Sequence, residues 1–373
     1  MKIKVGITGK EGFVGQHLYN TLGLYQDEFE HVPYNINFFE DQSLLNNFVS
    51  QCDVIVHLAA LNRHNDPQVI YDTNIELVKK LITALQITQS KAHVLFSSSS
   101  QEEKENMYGQ SKREGRQMLI DWAQQSGGKL TGLVIPNVFG PFGNPYYNSF
   151  IATFSHQLTH NEQPKIEVDG AVKLIYVGDL VKAIINEIRA GKGNHLLIIP
   201  HTDEYKVSYI LSLLELYKQQ YFLLGIIPKL NSAFEINLFN TFRCYIDIKN
   251  HYPQKFKKNT DVRGTFVEVI KLNIGGQVSF STTEPDVTRG NHYHTRKIER
   301  FAVIKGKALI QLRRIGTNEI LNFYLDGEEP AYVDMPIWYT HNIKNIGNEV
   351  LYTNFWINEF FDPNDADTYI ETV

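Results

Sequence analysis

Residues Lys4 to Leu18 read KVGITGKEGFVGQHL, and the spacing within this stretch decides how the first half of the chain folds. KIKVGITG reads as a buried strand, and FVGQHLYNTLGLY as a helix that opens directly after it. Between them, Thr8-Gly9-Lys10-Glu11-Gly12-Phe13-Val14-Gly15 places glycines where three separate needs arise. One makes a tight turn, one lets backbone N–H groups approach a pyrophosphate, and one allows close packing of helix on strand. The helix N-terminus adds positive partial charge for the same anion.

Further along, apolar runs alternate with amphipathic segments. DVIVHLAA (Asp53–Ala60) and HVLFSSSS (His93–Ser100) read as strands, and GLVIPNVFGP (Gly132–Pro141) as a strand running into a loop. In NIELVKKLITALQIT, Ile75, Val78, Leu81, Ile82 and Leu85 share one helical face. Strands alternating with helices predict a Rossmann-like, doubly wound parallel sheet. After about residue 245 short β-branched and aromatic segments follow one another without helices, among them TFVEVIKL, RFAVIK and KALIQLRRI. That texture predicts an all-β sandwich or barrel. The expected domains are therefore residues 1–245 and 246–373, joined through Asp247–Asp261.

The chain has 373 residues, 43% hydrophobic, with a net charge of −5, enough for two cores. The charge and the lack of any run of five basic residues argue against a nucleic-acid or anionic-membrane partner. The longest apolar runs, such as Tyr221–Pro228, fall far short of the roughly 20 residues a spanning helix needs. The N-terminus turns glycine-rich before a signal segment can form, so a cytoplasmic protein is expected. Cys52 and Cys244 fit buried free thiols.

Tyr108-Gly109-Gln110-Ser111-Lys112 sets a phenol and an ammonium on one helical face. The lysine is expected to lower the phenol pKa and suit it to proton transfer. Ser97–Ser100 end a strand just before, offering a hydroxyl to orient a carbonyl. With the glycine loop and this pair, residues 1–240 resemble an extended short-chain dehydrogenase/reductase of the kind that acts on nucleotide sugars. HLAA (His57–Ala60), PNVFGP (Pro136–Pro141) and YVGDLVKAI (Tyr176–Ile184) resemble further motifs of that family, with Phe139 where tyrosine is usual.

The resemblance implies catalysis by Ser99, Tyr108 and Lys112, with Ser98 the alternative register for the hydroxyl and a candidate substrate contact. It implies a nicotinamide cofactor on Thr8, Gly9, Lys10, Gly12, Phe13, Val14, Gly15, Leu58, Ala59, Ala60, Tyr108 and Lys112. His31–Phe39, where NAD-preferring members carry an acidic residue, has none, and Lys10 can meet a 2′-phosphate. NADPH is expected ahead of NADH. Asn137 matches the substrate-side loop; Lys173 and Arg243 are cations that can either face a diphosphate or serve as ordinary surface charges.

In GNHYHTRKIERFAVIKG (Gly290–Gly306), His292 and His294 alternate on a strand. With Glu299 and His341 they make a ligand set for Zn²⁺ or another divalent transition metal. The spacing from His292 through Glu299 to Gly306 resembles the first cupin motif, and Pro336 through His341 to Asn345 the second. Asp286, Pro330 and Trp338 stand where those motifs usually have glycine, which puts the turns in question. DVRGTFVE (Asp261–Glu268) followed by TRGNHYH resembles deoxysugar 3,5-epimerases, which implies a substrate pocket near Arg263 and Glu268. In that family the histidine aligned with His292 is the base, so metal binding and proton transfer compete for it.

The fusion as a whole resembles the CapF-type enzymes of capsular polysaccharide and O-antigen synthesis. That implies C3 epimerisation of a UDP-4-keto-6-deoxy-N-acetylhexosamine in the cupin. NADPH reduction at C4 follows, to UDP-2-acetamido-2,6-dideoxy-L-talose, a precursor of UDP-N-acetyl-L-fucosamine. A homodimer or higher assembly is expected because cupin barrels commonly pair through their sheets. The alternative is a reductase whose cupin only dimerises or binds sugar.

Overall fold

The computed structural model describes residues 1–262 and 264–373, with side chains outside 263–266. It forms two compact units, one of Met1–Phe150 with Val168–Val207, the other of Ile151–Glu167 with Ser208–Val373.

In the first unit β1 (Ile3–Thr8), α1 (Phe13–Leu22), β2 (Phe29–Val32), α2 (Gln42–Ser50), β3 (Val54–His57), α3 (Pro67–Ile87), β4 (His93–Ser99), α4 (Met107–Ser126) and β5 (Lys129–Ile135) alternate. Then come β6 (Asn137–Phe139), β7 (Ala171–Tyr176), α6 (Val177–Ala190), β8 (His195–Ile198) and β9 (Asp203–Lys206), while α5 (Phe150–Thr159), between β6 and β7 in sequence, belongs past its first residue to the second unit. The main sheet runs β2-β1-β3-β4-β5-β8, every pair parallel. Strands covered on both faces need continuous apolar sequence, and every residue of β3 is buried. One face packs on α2, α3 and α4 through Phe48, Leu81 and Leu119, the other on α1 and α6 through Leu18 and Ile184. The parallel doubly wound sheet is as the alternation predicts.

Caps fix where the helices begin. Asp66 accepts from the Gln68 N–H just ahead of Pro67, and Asn106 accepts from the Gly109 N–H at 2.7 Å. The second cap places Tyr108 in the first turn of α4. Gly109 lets that turn press against the preceding chain, since a Cβ there would sit 2.1 Å from the Gln101 carbonyl oxygen.

Besides α5, the second unit has α7 (Val207–Tyr217), α8 (Ala233–Arg243) and the one-turn α9 (Ile248–His251). Strands follow: β10 (Gln254–Lys255), β11 (Lys258–Asp261), β12 (Gly264–Val267), β13 (Gln277–Thr283), β14 (Thr288–Tyr293), β15 (Glu299–Lys305) and β16 (Lys307–Arg314). The last are β17 (Ile320–Asp326), β18 (Ala331–Met335), β19 (Tyr339–Asn345), β20 (Leu351–Ile357) and β21 (Tyr369–Ile370). Two five-stranded sheets form, β10-β18-β15-β20-β13 and β17-β16-β19-β14-β21, and every named pairing in them is antiparallel. Val303 and Val333 of the first sheet share one core with Ile310 and Ile343 of the second.

The division of the chain differs from a cut at residue 245. Residues 208–243 cluster with the strands because their polar groups are satisfied there. Asn240 donates to the Arg296 carbonyl at 3.1 Å, and Arg243 to the Met335 carbonyl at 3.0 Å. Beneath them Arg300 grips Asp334 by two hydrogen bonds of 2.7 and 2.9 Å, and Tyr221 donates to the same carboxylate at 2.6 Å. Arg243 is therefore a buried structural cation with no part in meeting a diphosphate.

Candidate active site and metal centre

The glycine loop of the first unit leaves β1 through Thr8, whose hydroxyl meets His57 Nδ1 at 2.7 Å. Gly9 takes φ +75°, and a Cβ there would lie 2.8 Å from the Ala59 nitrogen. Gly15 is held more tightly still: its Cβ would lie 2.2 Å from the Gly9 carbonyl oxygen. Gly12 precedes α1 with no side-chain cap, so the N–H groups of Phe13 and Val14 are left to face an anion. The loop and the Leu58–Ala60 segment are thus brought together, as a cradle for a pyrophosphate requires.

Thr8, His57 and Phe96 lead from that loop to the Tyr108–Lys112 pair. His57 stacks on Phe96, and Lys112 Nζ stands 5.1 Å over the same ring. Lys112 is buried, donates to Ser97 Oγ at 3.3 Å and lies 5.7 Å from the Tyr108 ring centre. Burial lowers its pKa to about 8, against a smaller opposing pull from Glu102. Tyr108 departs from the expectation of a lowered phenol pKa. Burial, with Tyr147 adding to it, pushes the phenol up to about 12.

Strand alternation separates the two serine registers. Ser97 and Ser99 lie on the face that meets Lys112, whereas Ser98 is buried on the other face and donates to Glu102. Glu102 is in turn held by Arg116 at 2.7 Å. Ser99 also accepts from the Gln101 N–H at 3.1 Å. Lys10 stands 5.2 Å over the Tyr19 ring, which stacks on His31 at the end region of β2. Asn137 is exposed and donates to the Lys173 carbonyl at 3.3 Å.

In the second unit one ligand atom each from His292, His294, Glu299 and His341 lies within 4.8 Å of the others. His294 Nε2 and His341 Nε2 stand 3.0 and 3.2 Å from Glu299 Oε2. All three atoms are buried and lack a well-directed hydrogen bond. The far ring nitrogens are engaged: His294 Nδ1 meets the Asp367 carbonyl at 2.5 Å, and His341 Nδ1 the Tyr339 carbonyl at 3.2 Å. Such bonds fix the tautomer and turn the Nε2 lone pairs inward. Burial, then His341, lowers the His292 pKa to about 4, so its ring is neutral. Three imidazoles and a carboxylate converging this way fit a divalent transition metal.

Simple alternation does not account for the histidines. β14 ends at Tyr293, and its register against β19 shifts between Gly290 and His292. The turns work without the expected glycines. Asp286 and Trp338 themselves take left-handed backbone, φ +60° and +62°. The Trp338 N–H binds the His294 carbonyl at 2.7 Å, which offsets the strain by seating a ligand. Glu268 is exposed and paired with Lys271 at 2.9 Å, and Arg263 lies outside the described residues. Among the described residues no helix is long and apolar enough to cross a membrane.

Comparison with known proteins agrees with this layout. Residues 5–198 match the family described as NAD dependent epimerase/dehydratase, and 259–369 the polysaccharide biosynthesis C-terminal domain. A UDP-2-acetamido-2,6-beta-L-arabino-hexul-4-ose reductase of Pseudomonas aeruginosa is 32% identical over 371 residues, covering 98% of each chain. The crystal structure of the capsular polysaccharide assembling protein CapF from Staphylococcus aureus is 33% identical, with TM-score 0.63 and full coverage of both chains. RMD from Pseudomonas aeruginosa, solved with NADPH, shares the fold at 20% identity and TM-score 0.53, over 58% of this chain and 84% of its own.

Proposed function

The chain belongs to the NAD dependent epimerase/dehydratase family, and on that premise we propose that it is a two-step nucleotide-sugar enzyme. Its substrate is a UDP-linked 4-keto-6-deoxy-N-acetylhexosamine. The C-terminal unit, a metal-binding cupin barrel, inverts C3, and the N-terminal unit then reduces the C4 ketone to UDP-2-acetamido-2,6-dideoxy-L-talose for capsule or O-antigen synthesis. The reading is carried by Tyr108 and Lys112 standing together in a unit with a pyrophosphate cradle. The full-length likeness to a 4-ketosugar reductase supports the substrate class.

Reduction needs an acid at the C4 oxygen, and a phenol with its pKa near 12 arrives protonated at neutral pH. Bound nicotinamide supplies the hydride. Tyr108 gives the proton, and the Lys112 ammonium stabilises the phenolate left behind. Ser99 orients the ketone. Lys10 and the absence of a carboxylate along His31–Phe39 favour a 2′-phosphate, hence NADPH.

The order of steps follows from the ketone. Its carbonyl acidifies the C3 hydrogen through an enolate, and reduction removes that activation. His292, His294, Glu299 and His341 would hold a zinc or similar ion, which supplies a Lewis acid for an enolate oxygen. A neutral His292 spent on ligation is not available as the base, so the proton falls to another group of that pocket. The reading also includes a homodimer or higher assembly formed through the sheets of the C-terminal unit. The test is conversion of the 4-keto sugar nucleotide with NADPH: an L-talo product supports both steps, and a product with unchanged C3 leaves only the reductase.

A further inference from the structure

The segments after β3 and after β6 meet in a latch. Arg63 sends one guanidinium nitrogen, Nη1, to two carbonyl oxygens, those of Tyr146 at 2.7 Å and Tyr147 at 2.8 Å. The Asn62 N–H donates to the Tyr147 hydroxyl at 3.4 Å. Tyr146 takes φ +58°, a left-handed backbone that a bulky residue seldom adopts without a compensating contact. Here the arginine supplies it.

The latch connects to the catalytic helix. Leu61 exchanges two hydrogen bonds with the Asn74 amide, of 2.7 and 3.1 Å. Asn74 also donates to Ser111 Oγ at 3.0 Å, and Ser111 donates to the Tyr108 carbonyl at 2.8 Å. One polar path therefore runs from Tyr147 to the backbone of the proton donor. Tyr147 also acts electrostatically on the Tyr108 phenol, so the two aromatic rings share one neighbourhood. Tyr147 is 37% exposed. Accepting from a backbone N–H orients its oxygen and leaves the phenolic proton to donate.

We infer that Tyr147 is a substrate-contacting residue that donates to an oxygen of the sugar next to the reacting carbonyl, and that Arg63 is the positioning residue that holds it there. This rests on the reductase reading above. An N-acetylated keto pyranose offers acceptors on both sides of its ketone, and a second phenol beside Tyr108 reads one of them. The contact is made with substrate and transition state alike, so it sets affinity and selectivity more than rate.

The full chain is assayed with NADPH and UDP-2-acetamido-2,6-dideoxy-4-ketohexose. Tyr147→Phe raises KM roughly fivefold to tenfold, the worth of one hydrogen bond, with kcat within about twofold. Arg63→Ala does the same, Arg63→Lys recovers part of the loss, and the double variant is no worse than either single one. Calorimetry with UDP-N-acetylglucosamine reads the site without turnover, and Tyr147→Phe weakens that binding while NADPH affinity holds. A wild-type chain that fails to reduce the ketone overturns the reductase reading. Unchanged KM and unchanged UDP-sugar affinity in Tyr147→Phe overturn this one, as does multiplication of the two single effects.

Discussion

His294 Nε2 lies 3.0 Å from Glu299 Oε2, both buried, with neither atom in a well-directed hydrogen bond. A buried heteroatom left without such a bond costs free energy, and a shared ion removes that cost for the whole group at once. The purified chain should carry about one divalent ion per chain by elemental analysis. His341→Ala should lose it. Chelation should lower stability by on the order of 3 kcal/mol where the ion is present at about a hundredfold its dissociation constant. A metal-free chain of unchanged stability on chelation counts against the centre.

Tyr108→Phe removes the proposed proton donor and leaves the glycine loop intact. Reduction should fall about 10²- to 10⁴-fold with NADPH affinity within about twofold, measured by turnover and fluorescence titration. Substantial residual turnover would place the acid elsewhere.

Lys112 titrates near 8 because it is buried. In the proposed reduction its ammonium stabilises the Tyr108 phenolate, so kcat/KM should be level below that pH and fall as pH rises through it. Lys112→Arg keeps the charge at all working pH and should carry the falling limb upward, even at a lower rate. For folding the sign is opposite: a depressed lysine costs stability below about 8, and that cost fades as pH rises toward its ordinary value near 10.5.

Gly15→Ala should weaken NADPH binding at least tenfold, because the added carbon would sit 2.2 Å from a backbone oxygen. The loop must shift to admit it. Fluorescence titration reads the loss, and a wild-type affinity would contradict the cradle.

Asp334 is the carboxylate between two buried guanidiniums, those of Arg300 and Arg243. Asp334→Asn should cost about 3–5 kcal/mol by urea unfolding, since it leaves buried cations uncompensated. Burial alone would raise the Asp334 pKa, but Arg300 first and then Arg243 hold it below the ordinary value. Its contribution is therefore full above about pH 4 and is lost as pH falls below that toward the depressed folded value.

Some of this was legible in sequence because it rests on short spacings. The glycine loop, the Tyr108–Lys112 pair and the cluster of His292, His294, Glu299 and His341 each announce themselves within a motif or two. The unit boundary did not. Whether residues 208–243 pack on one core or another depends on bonds such as Arg243 to Met335, which no local pattern encodes. The Tyr108 pKa escaped for a similar reason: the lysine is visible four residues on, but the burial that raises the phenol is tertiary. The Ser98–Ser99 ambiguity yields only to the pleat of β4, which turns Ser98 toward Glu102. Arg63 and Tyr147, 84 positions apart, carry no motif at all.

The most direct measurement follows C3 of the 4-keto sugar nucleotide in deuterated water without NADPH. The account predicts that deuterium enters at C3, that His341→Ala abolishes the exchange, and that Tyr108→Phe leaves it intact. No exchange in the wild-type chain, or exchange that disappears with Tyr108, would contradict two separate stations on one polypeptide.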